Sequence, residues 1–499
     1  MSYHTERPAR TQPGSDSWIT RRQADLLPRK AADSVGVDPE AIARFLKAVT
    51  SSGCELHSFM IYRAGGVIAE GWWWPYRADR LHFTHSATKS FTATGVGLAI
   101  SEGYFALDDK VVDFFPDKVP VSANQNLRAM TVEHLLTQTT GLASGASGSI
   151  WRNIETSWID EFFKIPADHE PGTTFLYSSH NSFMLSAIIS RTTGQNLYSY
   201  LLPRFFEPLG MTDVRWDVGP ENINPGGNGL SCTTADLLKL GLIHLKEGRW
   251  QSDQLIDRNW IKTATQDHTG HDYGYHWWIS PDRQSYYAAG KFGQHTFVFP
   301  RHDAVLAVTA AVPSLERTLR SLVWRHFPSG FEPGAGSSTH PAASGQEIAE
   351  LTVLEPIDRH DSQVAATVSG QTYRMQPNND GLREISFAFG PTTCLCAMTD
   401  ERGEHEVTVG LNQWAEGWTT VSGASLHHGY EPDRMRVVAG GTWRNNNTFE
   451  MTWQFVETPF RDTVTVQFSG TMVTVDRRVN VNSSETSRPT LTGTVATPR

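Results

Sequence analysis

The most informative stretch of this chain is HSATKSFTATGVGLAI, residues 85–100. It places Ser86 and Lys89 three positions apart, where an apolar, helix-forming run begins. Residues i and i+3 share one face of a helix, so the Lys89 amine can reach the Ser86 hydroxyl. A serine becomes an effective nucleophile when a neighbouring base accepts its proton, and a lysine in an apolar site can be that base. The spacing predicts a catalytic pair on a helix that runs from Ser86 to residue 102.

The Ser-x-x-Lys spacing needs support from other segments, because a chain of this length contains roughly one such spacing by chance. On its own, Ser86 could be a helix-cap residue and Lys89 a solvated charge. Two further segments add to it. The first is PGTTFLYSSHN, residues 171–181, a turn-rich loop that leads into a predicted helix at 182–193. The second is GKFGQ, residues 290–294, where a strand predicted at 294–299 begins.

The order of these three motifs resembles that of the penicillin-recognising serine hydrolases. The chain is most similar to the class C β-lactamase-like hydrolases, and within them to the esterase and 6-aminohexanoate-dimer hydrolase branches. Supporting stretches are LDDKV (107–111), EHLLTQTTGL (133–142) and GGNGLS (226–231), so the resemblance covers about residues 40–325. It implies a β-lactamase/transpeptidase-like α+β domain, in which helices flank an antiparallel sheet and a second region is all helical. It implies neither a cofactor nor a catalytic metal.

The resemblance also assigns roles to individual residues. Ser86 would attack a carbonyl carbon and form an acyl-enzyme. Lys89 or Tyr177 would remove its proton, and one of them would protonate the leaving group. Lys291 would be a second cation near the reaction centre. The backbone N–H groups of Ser86 and Gln294 would form the oxyanion hole.

One departure from the family pattern concerns the middle motif. Class C enzymes have Tyr-x-Asn, whereas here Tyr177 is followed by two serines and Asn181 comes four positions after it. The segment starting at Ser179 could instead be the Ser-x-Asn motif of penicillin-binding proteins. We favour Tyr177 because the approach Pro-Gly-x-x-Phe-x-Tyr is similar to the esterase branch. Ser179, Asn181 and Gly293 are expected to bind substrate.

The domain organisation follows from composition and periodicity. We predict an N-terminal extension (1–35), the hydrolase domain (36–328), a linker rich in Pro, Gly and Ser (329–346) and a β-rich C-terminal domain (347–499). In the hydrolase domain, helices are predicted at 39–50, 182–193 and 234–247, and strands at 58–63, 67–72, 294–299 and 304–311. In the last domain, strands are predicted at 406–411, 448–456, 463–468 and 472–481.

Charge and composition indicate which partners and which cellular compartment to expect. The net charge of −10 argues against a nucleic-acid partner. The first 35 residues contain no signal-peptide core and no apolar run reaches 18 residues, so we expect a cytoplasmic protein without a membrane partner. Four scattered cysteines are expected to be reduced thiols. The histidines and aspartates of residues 267–278 are interpreted as part of a pocket-lining loop, and no metal is expected.

The leading hypothesis is a serine hydrolase that cleaves a small amide or ester through a Ser86 acyl-enzyme. A β-lactamase or D-amino-acid peptidase is the enzymatic alternative. A binding protein that has lost activity on the same fold is the second alternative. The C-terminal domain could cover the mouth of the active site, mediate dimerisation or stabilise the chain, and a homodimer remains open.

Overall fold

The computed structural model describes residues 25–146, 154–313, 317–332, 351–358 and 360–496. Within these ranges, helices and a six-stranded sheet form the first domain, and strands dominate the second. The predicted α+β class with a β-rich C-terminal domain is therefore confirmed. The expectation about a signal peptide concerns residues that lie mostly outside the described ranges.

The first domain is built on one antiparallel sheet with the strand order β2-β1-β11-β10-β9-β8. Three short strands form a second sheet with the order β3-β5-β4, and β6 pairs with β7. The strands of this domain are β1 (Glu55–Arg63), β2 (Gly66–Trp72), β3 (His82–Phe83), β4 (Arg215–Trp216), β5 (Leu230–Cys232), β6 (Arg249–Trp250), β7 (Asp253–Gln254), β8 (Trp278–Ile279), β9 (Tyr286–Gly290), β10 (Gln294–Phe299) and β11 (Ala304–Ala311).

Helices cover both faces of this sheet. They are α1 (Pro39–Ser51), α2 (Thr88–Ser101), α3 (Val111–Phe114), α4 (Gln125–Ala129), α5 (Val132–Leu136), α6 (Trp158–Phe163), α7 (Ser179–Thr193), α8 (Leu197–Leu201), which continues into a π-helical turn (Leu202–Phe206), α9 (Thr234–Leu245), α10 (Arg258–Ala264) and α11 (Arg317–His326). None of the helices in the described ranges combines the length and apolar character needed to cross a membrane.

The two faces of the sheet support two separate hydrophobic cores. Successive side chains of a strand point to opposite faces, and β1 shows this alternation clearly. Met60 and Tyr62 of β1 pack with α2, α7 and α9, whereas Phe59 and Ile61 pack with α1 and α11. Because both faces are covered, the strand is buried along nearly its whole length.

The C-terminal domain is a ten-stranded antiparallel sheet that curls until its ends meet. Its strand order is β15-β14-β13-β12-β21-β20-β19-β18-β17-β16, and a parallel bridge from Gly410 of β15 to Gly440 of β17 closes it. Its elements are a short helix α12 (Val364–Val368), β12 (Thr372–Met375), β13 (Glu384–Phe389), β14 (Thr393–Asp400), β15 (Gly403–Gly410), β16 (Ala415–Thr419), β17 (Met435–Asn445), β18 (Thr448–Phe455), β19 (Arg461–Ser469), β20 (Met472–Val479) and β21 (Leu491–Val495).

The two domains meet on the side of the first domain that carries Ser86. Phe83 of β3 belongs to the hydrophobic core of the C-terminal domain, and its N–H donates to Glu457 O at 2.8 Å. Arg461 forms an ion pair with Glu55 at 2.7 Å. The Tyr76 hydroxyl donates to Thr458 O at 2.9 Å. A backbone pairing and a shared core therefore hold the C-terminal domain against the segment that leads into the nucleophile.

The first domain extends past the boundaries predicted for it. Leu27, in the predicted extension, is part of the main core, and Lys30 N–H donates to Val67 O at 2.9 Å. The predicted linker begins with a 3-10 turn (Ser329–Phe331), and Phe331 stacks on Phe327 with ring centroids 4.8 Å apart. Composition suggested a linker there, but one buried aromatic side chain ties the segment to the core.

The predicted helices and strands lie close to those observed. The helix predicted at 182–193 begins three residues earlier, because Ser178 caps it by accepting the N–H of His180. The connection between β10 and β11 is a 3-10 turn (Pro300–His302). The four cysteines are buried free thiols.

We predict that Gly241→Ala destabilises the protein, although alanine favours helices more than glycine does. Helix α9 lies so close to the sheet that a Cβ at Gly241 would be 2.5 Å from Val305 Cγ1 and 2.7 Å from Thr296 Cγ2. Overpacking of this kind costs about 1–3 kcal/mol of the free energy of unfolding, which urea denaturation would measure. Gly417→Ala is the control, because no heavy atom lies within 4 Å of the position of its Cβ. An equal effect of the two substitutions would contradict the prediction.

Candidate active site

Ser86 lies in a tight turn that precedes a helix. The structure has a 3-10 turn (His85–Ala87) followed by α2, so the α-helix begins at Thr88 and not at Ser86 as predicted. His85, directly before the serine, has a φ of +47° in the left-handed region, so the chain enters this turn from a non-helical conformation. A non-glycine residue held in this region costs of order 1–3 kcal/mol and often marks a functional site.

Lys89 is the most constrained side chain of the site. Its Nζ lies 3.1 Å from Ser86 Oγ, 3.2 Å from Ser179 Oγ and 2.8 Å from Gly227 O. The residue is only 1% exposed, although lysine is normally a surface residue. Burial lowers the pKa of Lys89 from 10.5 to about 7, because the low-polarity surroundings disfavour the charged form. Near neutral pH a large fraction of this amine is therefore uncharged and able to accept a proton.

Tyr177 presents the face of its ring to the lysine. Lys89 Nζ lies 4.8 Å from the centroid of the Tyr177 ring. Tyr273 meets this ring edge-on at 6.0 Å, and Trp278 lies 5.6 Å from it. The segment 267–278 was expected to line the pocket, but these aromatic side chains pack behind Tyr177 instead. The Ser179 hydroxyl of this middle motif lies within hydrogen-bond distance of Lys89, at 3.2 Å.

Two glycines let a loop approach the lysine closely. Gly227 supplies the carbonyl that accepts from Lys89, and a Cβ there would lie 2.9 Å from Ser179 Cβ. Gly226 has a φ of +66°, and a Cβ there would lie 2.2 Å from Ser182 O. The loop backbone therefore packs directly on the first turn of α7. This explains why the GGNGLS stretch is glycine-rich.

The end of β9 lies against the nucleophile turn. A Cβ at Gly290 would be 2.1 Å from Thr84 O and 3.2 Å from Ala87 N, so only glycine permits this approach. The next residue, Lys291, lines the cavity at Ser86, with its Nζ 5.9 Å from the Phe292 ring centroid. The strand end that reaches the serine is therefore at Gly290 and Lys291.

Two residues predicted for the Lys291 motif lie behind the cavity wall. The Gln294 side chain is fully buried and bridges the backbone of Ala310, donating to its carbonyl at 2.8 Å and accepting its N–H at 3.2 Å. Gly293 turns the chain with a φ of +99°, and a Cβ there would meet Ala310, Val312 and Leu319. Neither residue is among the described lining of the cavity, but the β9–β10 register pairs Gln294 directly with Gly290, the residue that packs on the nucleophile turn.

Asn181 supports the site from inside the protein. Its Nδ2 donates to Gln138 Oε1 at 2.8 Å, and the same oxygen accepts the N–H of Ser178 at 2.8 Å. Asn181 is completely buried and does not line the cavity, so the structure gives it a bracing position and not the predicted contact with substrate. The bridge fixes the turn that aims Ser179 at Lys89.

These groups open into one cavity of about 370 Å³. It brings together the predicted Ser86, Tyr177, Ser179 and Lys291, with Lys89 beneath them. His428 and Tyr430 of the C-terminal domain also line it, and no local sequence motif marks them. The described lining is Phe83, His85, Ser86, Gly145, Ala146, Leu176, Tyr177, Ser179, Asn228, Lys291, His428 and Tyr430. No group of side chains suited to holding a metal ion occurs among the residues that the structure describes.

A serine in the turn before a helix, a buried lysine beside it and a six-stranded antiparallel sheet together form the arrangement of the penicillin-recognising serine hydrolases that the sequence resembles. Residues 48–322, more than half of the chain, match the protein family described as Beta-lactamase. The chain belongs to this family.

Several relatives agree with this assignment. The chain is 22% identical over 335 residues to the 6-aminohexanoate-dimer hydrolase of Paenarthrobacter ureafaciens, covering 59% of this chain and 85% of that protein. It is 31% identical over 174 residues to Esterase EstB of Burkholderia gladioli, covering 32% of this chain and 44% of the esterase. Protein Rv1367c of Mycobacterium tuberculosis is 28% identical over 244 residues, which cover 39% of this chain and 61% of that protein.

A solved structure shows the same fold in the first domain. It is a protein of Bacillus anthracis provisionally named a 6-aminohexanoate-dimer hydrolase, with a TM-score of 0.51 and 17% sequence identity. The match covers 60% of this chain and 86% of that chain.

We predict that Lys89→Met is more stable than the natural protein below pH 7, because the substitution removes a buried ammonium. The lowered pKa of Lys89, about 7, means that the unfolded chain binds more protons than the folded chain between pH 7 and its ordinary value of 10.5. Stability of the natural protein therefore rises through this window. Urea denaturation at pH 6 and pH 9 should show that the advantage of Lys89→Met shrinks at the higher pH. An advantage that is constant or grows would contradict the assigned pKa.

Proposed function

We propose that the protein is a serine hydrolase that cleaves a small amide or ester through an acyl-enzyme at Ser86. The contact of 3.1 Å between Lys89 Nζ and Ser86 Oγ, made by an amine with a pKa of about 7, carries this proposal. An amine with this pKa is suited to general-base catalysis near neutral pH, since the most effective catalytic pKa lies near the working pH.

The first step forms the acyl-enzyme. Neutral Lys89 accepts the Ser86 hydroxyl proton while Ser86 Oγ attacks the carbonyl carbon of the substrate. The C–N or C–O bond of the tetrahedral intermediate then breaks, and the departing nitrogen or oxygen takes a proton from Lys89. A water molecule then attacks the acyl carbon while Lys89 accepts one of its protons. The bond between the acyl carbon and Ser86 Oγ breaks, Lys89 returns the proton to Ser86 Oγ, and the acid leaves.

Ser179 is the group we assign to carry the proton between Lys89 and the leaving group. Its hydroxyl lies 3.2 Å from Lys89 Nζ and lines the cavity, so it can accept a hydrogen bond from the ammonium and donate one toward the substrate. Tyr177, which the sequence favoured, offers the lysine its ring face. There it can stabilise the ammonium that forms during attack.

We place the oxyanion hole at the backbone N–H groups of Ser86 and Gln294. Close packing of Gly290 on the turn at Thr84 and Ala87 supports this, because Gln294 is the partner of Gly290 in the β9–β10 register. A donor of this kind contributes about 3–4 kcal/mol of transition-state stabilisation.

The relatives support the same chemistry. One is named a 6-aminohexanoate-dimer hydrolase and another an esterase. Both names describe hydrolysis of a bond to an acyl carbon. The chain spans 61% of the length of the first curated relatives that it matches.

A D-amino-acid peptidase or β-lactamase is the second candidate. The Lys89–Ser179 contact favours it, because it is the contact expected if Ser179 and Asn181 form a Ser-x-Asn motif. The Asn181 side chain, however, donates to Gln138 inside the protein, which argues against its holding a substrate amide. We therefore keep the amidase and esterase proposal first.

The test is covalent labelling of Ser86. Incubation with a fluorophosphonate should add one adduct mass, mapped by peptide mass spectrometry to Ser86 and absent in Ser86→Ala. The rate of labelling should rise with pH and be half-maximal near pH 7, because only the uncharged Lys89 amine accepts the proton. Ser252→Ala, which removes an exposed serine, should label normally.

Turnover assays then rank the candidates. Hydrolysis of p-nitrophenyl esters or short p-nitroanilides should exceed hydrolysis of a chromogenic cephalosporin and of D-alanyl-D-alanine peptides. The reverse ranking would favour the second candidate. Absence of a Ser86 adduct and of turnover on every substrate would favour a binding protein on this fold.

Ser179→Ala should lower kcat by about 100-fold or more, the usual effect of removing a proton-transfer group. Tyr177→Phe keeps the ring over Lys89 and should stay within about tenfold of the natural protein. Steady-state kinetics on one ester would compare the two variants. If Tyr177→Phe proved the more damaging substitution, the tyrosine hydroxyl and not Ser179 would be the proton carrier.

A further inference from the structure

A buried histidine, His276, bridges the two helices that carry the proton-transfer groups. Its ring Nε2 lies 3.0 Å from the hydroxyl of Ser182 in α7, three positions after Ser179. Its backbone carbonyl accepts a hydrogen bond of 2.8 Å from the hydroxyl of Ser90 in α2, and Ser90 directly follows Lys89. One residue of a distant segment therefore joins the helix of the lysine to the helix of the serine.

The backbone of His276 has a conformation that histidine seldom adopts. Its φ is +59°, in the left-handed region. The residues on both sides of it are anchored, because the Tyr275 hydroxyl donates to Glu133 and the Trp277 ring lies 4.5 Å from that of His244. Strained backbone of this kind persists only where the surroundings impose it, and it is common at functional sites. The strain and the contacts with two site helices together indicate a functional position.

The His276 ring is uncharged near neutral pH. Burial and, after it, the charge of nearby Lys89 lower the pKa of His276 to about 3. A neutral imidazole has one donor and one acceptor nitrogen, and these lie 3.0 Å from the Ser182 hydroxyl and 3.4 Å from that of Tyr273. Hydroxyl groups both donate and accept, so they suit either tautomer. The histidine therefore joins the helices without placing a second cation beside the lysine.

Ser182, the partner of this histidine in α7, also supports the glycine loop. A Cβ at Gly226 would lie 2.2 Å from Ser182 O, so the loop packs directly on this residue. The next residue of the loop, Gly227, provides the carbonyl that accepts from Lys89 at 2.8 Å. A displacement of Ser182 would therefore move two of the groups around the amine, the Ser179 hydroxyl and the Gly227 carbonyl.

We propose that His276 is a positioning residue of the hydrolase, which holds α7 and α2 at the separation where Ser179 Oγ reaches Lys89 Nζ. This rests on the proposed function, in which Ser179 carries the proton from Lys89 to the leaving group. The contact of Lys89 with Ser86 does not need the bridge, because the two residues lie three positions apart in one continuous segment. Loss of the bridge therefore impairs departure of the leaving group and spares attack by the serine.

The test measures kcat/KM for the p-nitrophenyl, phenyl and ethyl esters of pentanoic acid. p-Nitrophenolate leaves without a proton, whereas the more basic phenolate and ethoxide depend increasingly on receiving one. His276→Leu should lower kcat/KM for the phenyl and ethyl esters by about 10- to 100-fold, the effect of misplacing a catalytic group by about 1 Å, and that for the p-nitrophenyl ester by less than about threefold. Labelling of Ser86 by a fluorophosphonate should keep its rate, because fluoride also leaves without a proton.

Further variants test the bridge from its other end. Ser182→Ala removes only the hydroxyl that the histidine contacts and should give the same dependence on the leaving group with a smaller loss, so it decides the test if His276→Leu does not fold. His276→Gln restores a polar group near the position of Nε2 and should recover most of the lost rate. In a Ser179→Ala background, His276→Leu or Ser182→Ala should lower kcat/KM for the phenyl ester by less than about threefold further, because no hydroxyl is left to position.

His244→Leu is the matched control for loss of a buried histidine. His244 is buried in the same domain, and its Nδ1 bonds to Leu240 O of its own helix at 2.8 Å. The substitution should lower the melting temperature but keep the ratios of kcat/KM among the three esters. A purely structural effect of His276→Leu would resemble this control.

The outcomes distinguish this inference from the proposed function. If His276→Leu and Ser182→Ala lower kcat/KM for all three esters equally, or if their losses multiply with that of Ser179→Ala, the positioning role is wrong while the proposed function stands. A natural protein that labels at Ser86 but cleaves none of the esters has no leaving-group step for the histidine to serve, and the inference fails alone. If Ser86 does not label, the proposed function fails first, and this inference fails with it.

Discussion

The burial of the Lys89 amine is the constraint on which the active site depends. An ammonium group in apolar surroundings is unfavourable unless it loses its proton or finds strong acceptors, and here both occur. Its pKa falls to about 7, and Ser86, Ser179 and the Gly227 carbonyl surround its nitrogen. Each partner comes from a different part of the chain. The helix that starts at Thr88, the first turn of α7 and the glycine loop before β5 must all converge for this amine to be accommodated.

The same constraint explains several backbone conformations around the site that are unfavourable for stability. Gly226 and Gly227 permit the loop to press against α7, and Gly290 permits β9 to press against the nucleophile turn. The left-handed backbone of His85 raises Ser86 out of the helix so that its hydroxyl opens into the cavity. These positions trade stability for geometry, as is common where catalysis is prepared. Burial of apolar side chains in the two cores of the sheet offsets this loss of stability.

The C-terminal domain is part of this active site and not an appendage. Its core includes Phe83 and Phe292 of the first domain, and its backbone pairs with β3 through Glu457. Of the three roles considered for it from sequence, the structure favours covering the mouth of the site. Residues of β3 and of the 455–461 turn support the nucleophile from behind, while His428 and Tyr430 face the cavity. A substrate would therefore contact both domains at once.

Local patterns in the sequence determined the fold class, the main helices and strands, and the pairing of Ser86 with Lys89. A spacing of three residues in a helical turn brings two side chains together whatever the rest of the chain does, and short apolar runs such as that of β10 predict buried strands. Only tertiary structure decided that the Ser179 hydroxyl meets the lysine, since the serine lies 90 positions from it. The same holds for the close approach of Gly290 to the nucleophile turn, for the bracing position of Asn181, and for the place of His428 in the cavity lining, which no motif marks. These assignments depend on how separate segments pack through space, and a one-residue change of register or a shift of a hairpin redirects every side chain involved.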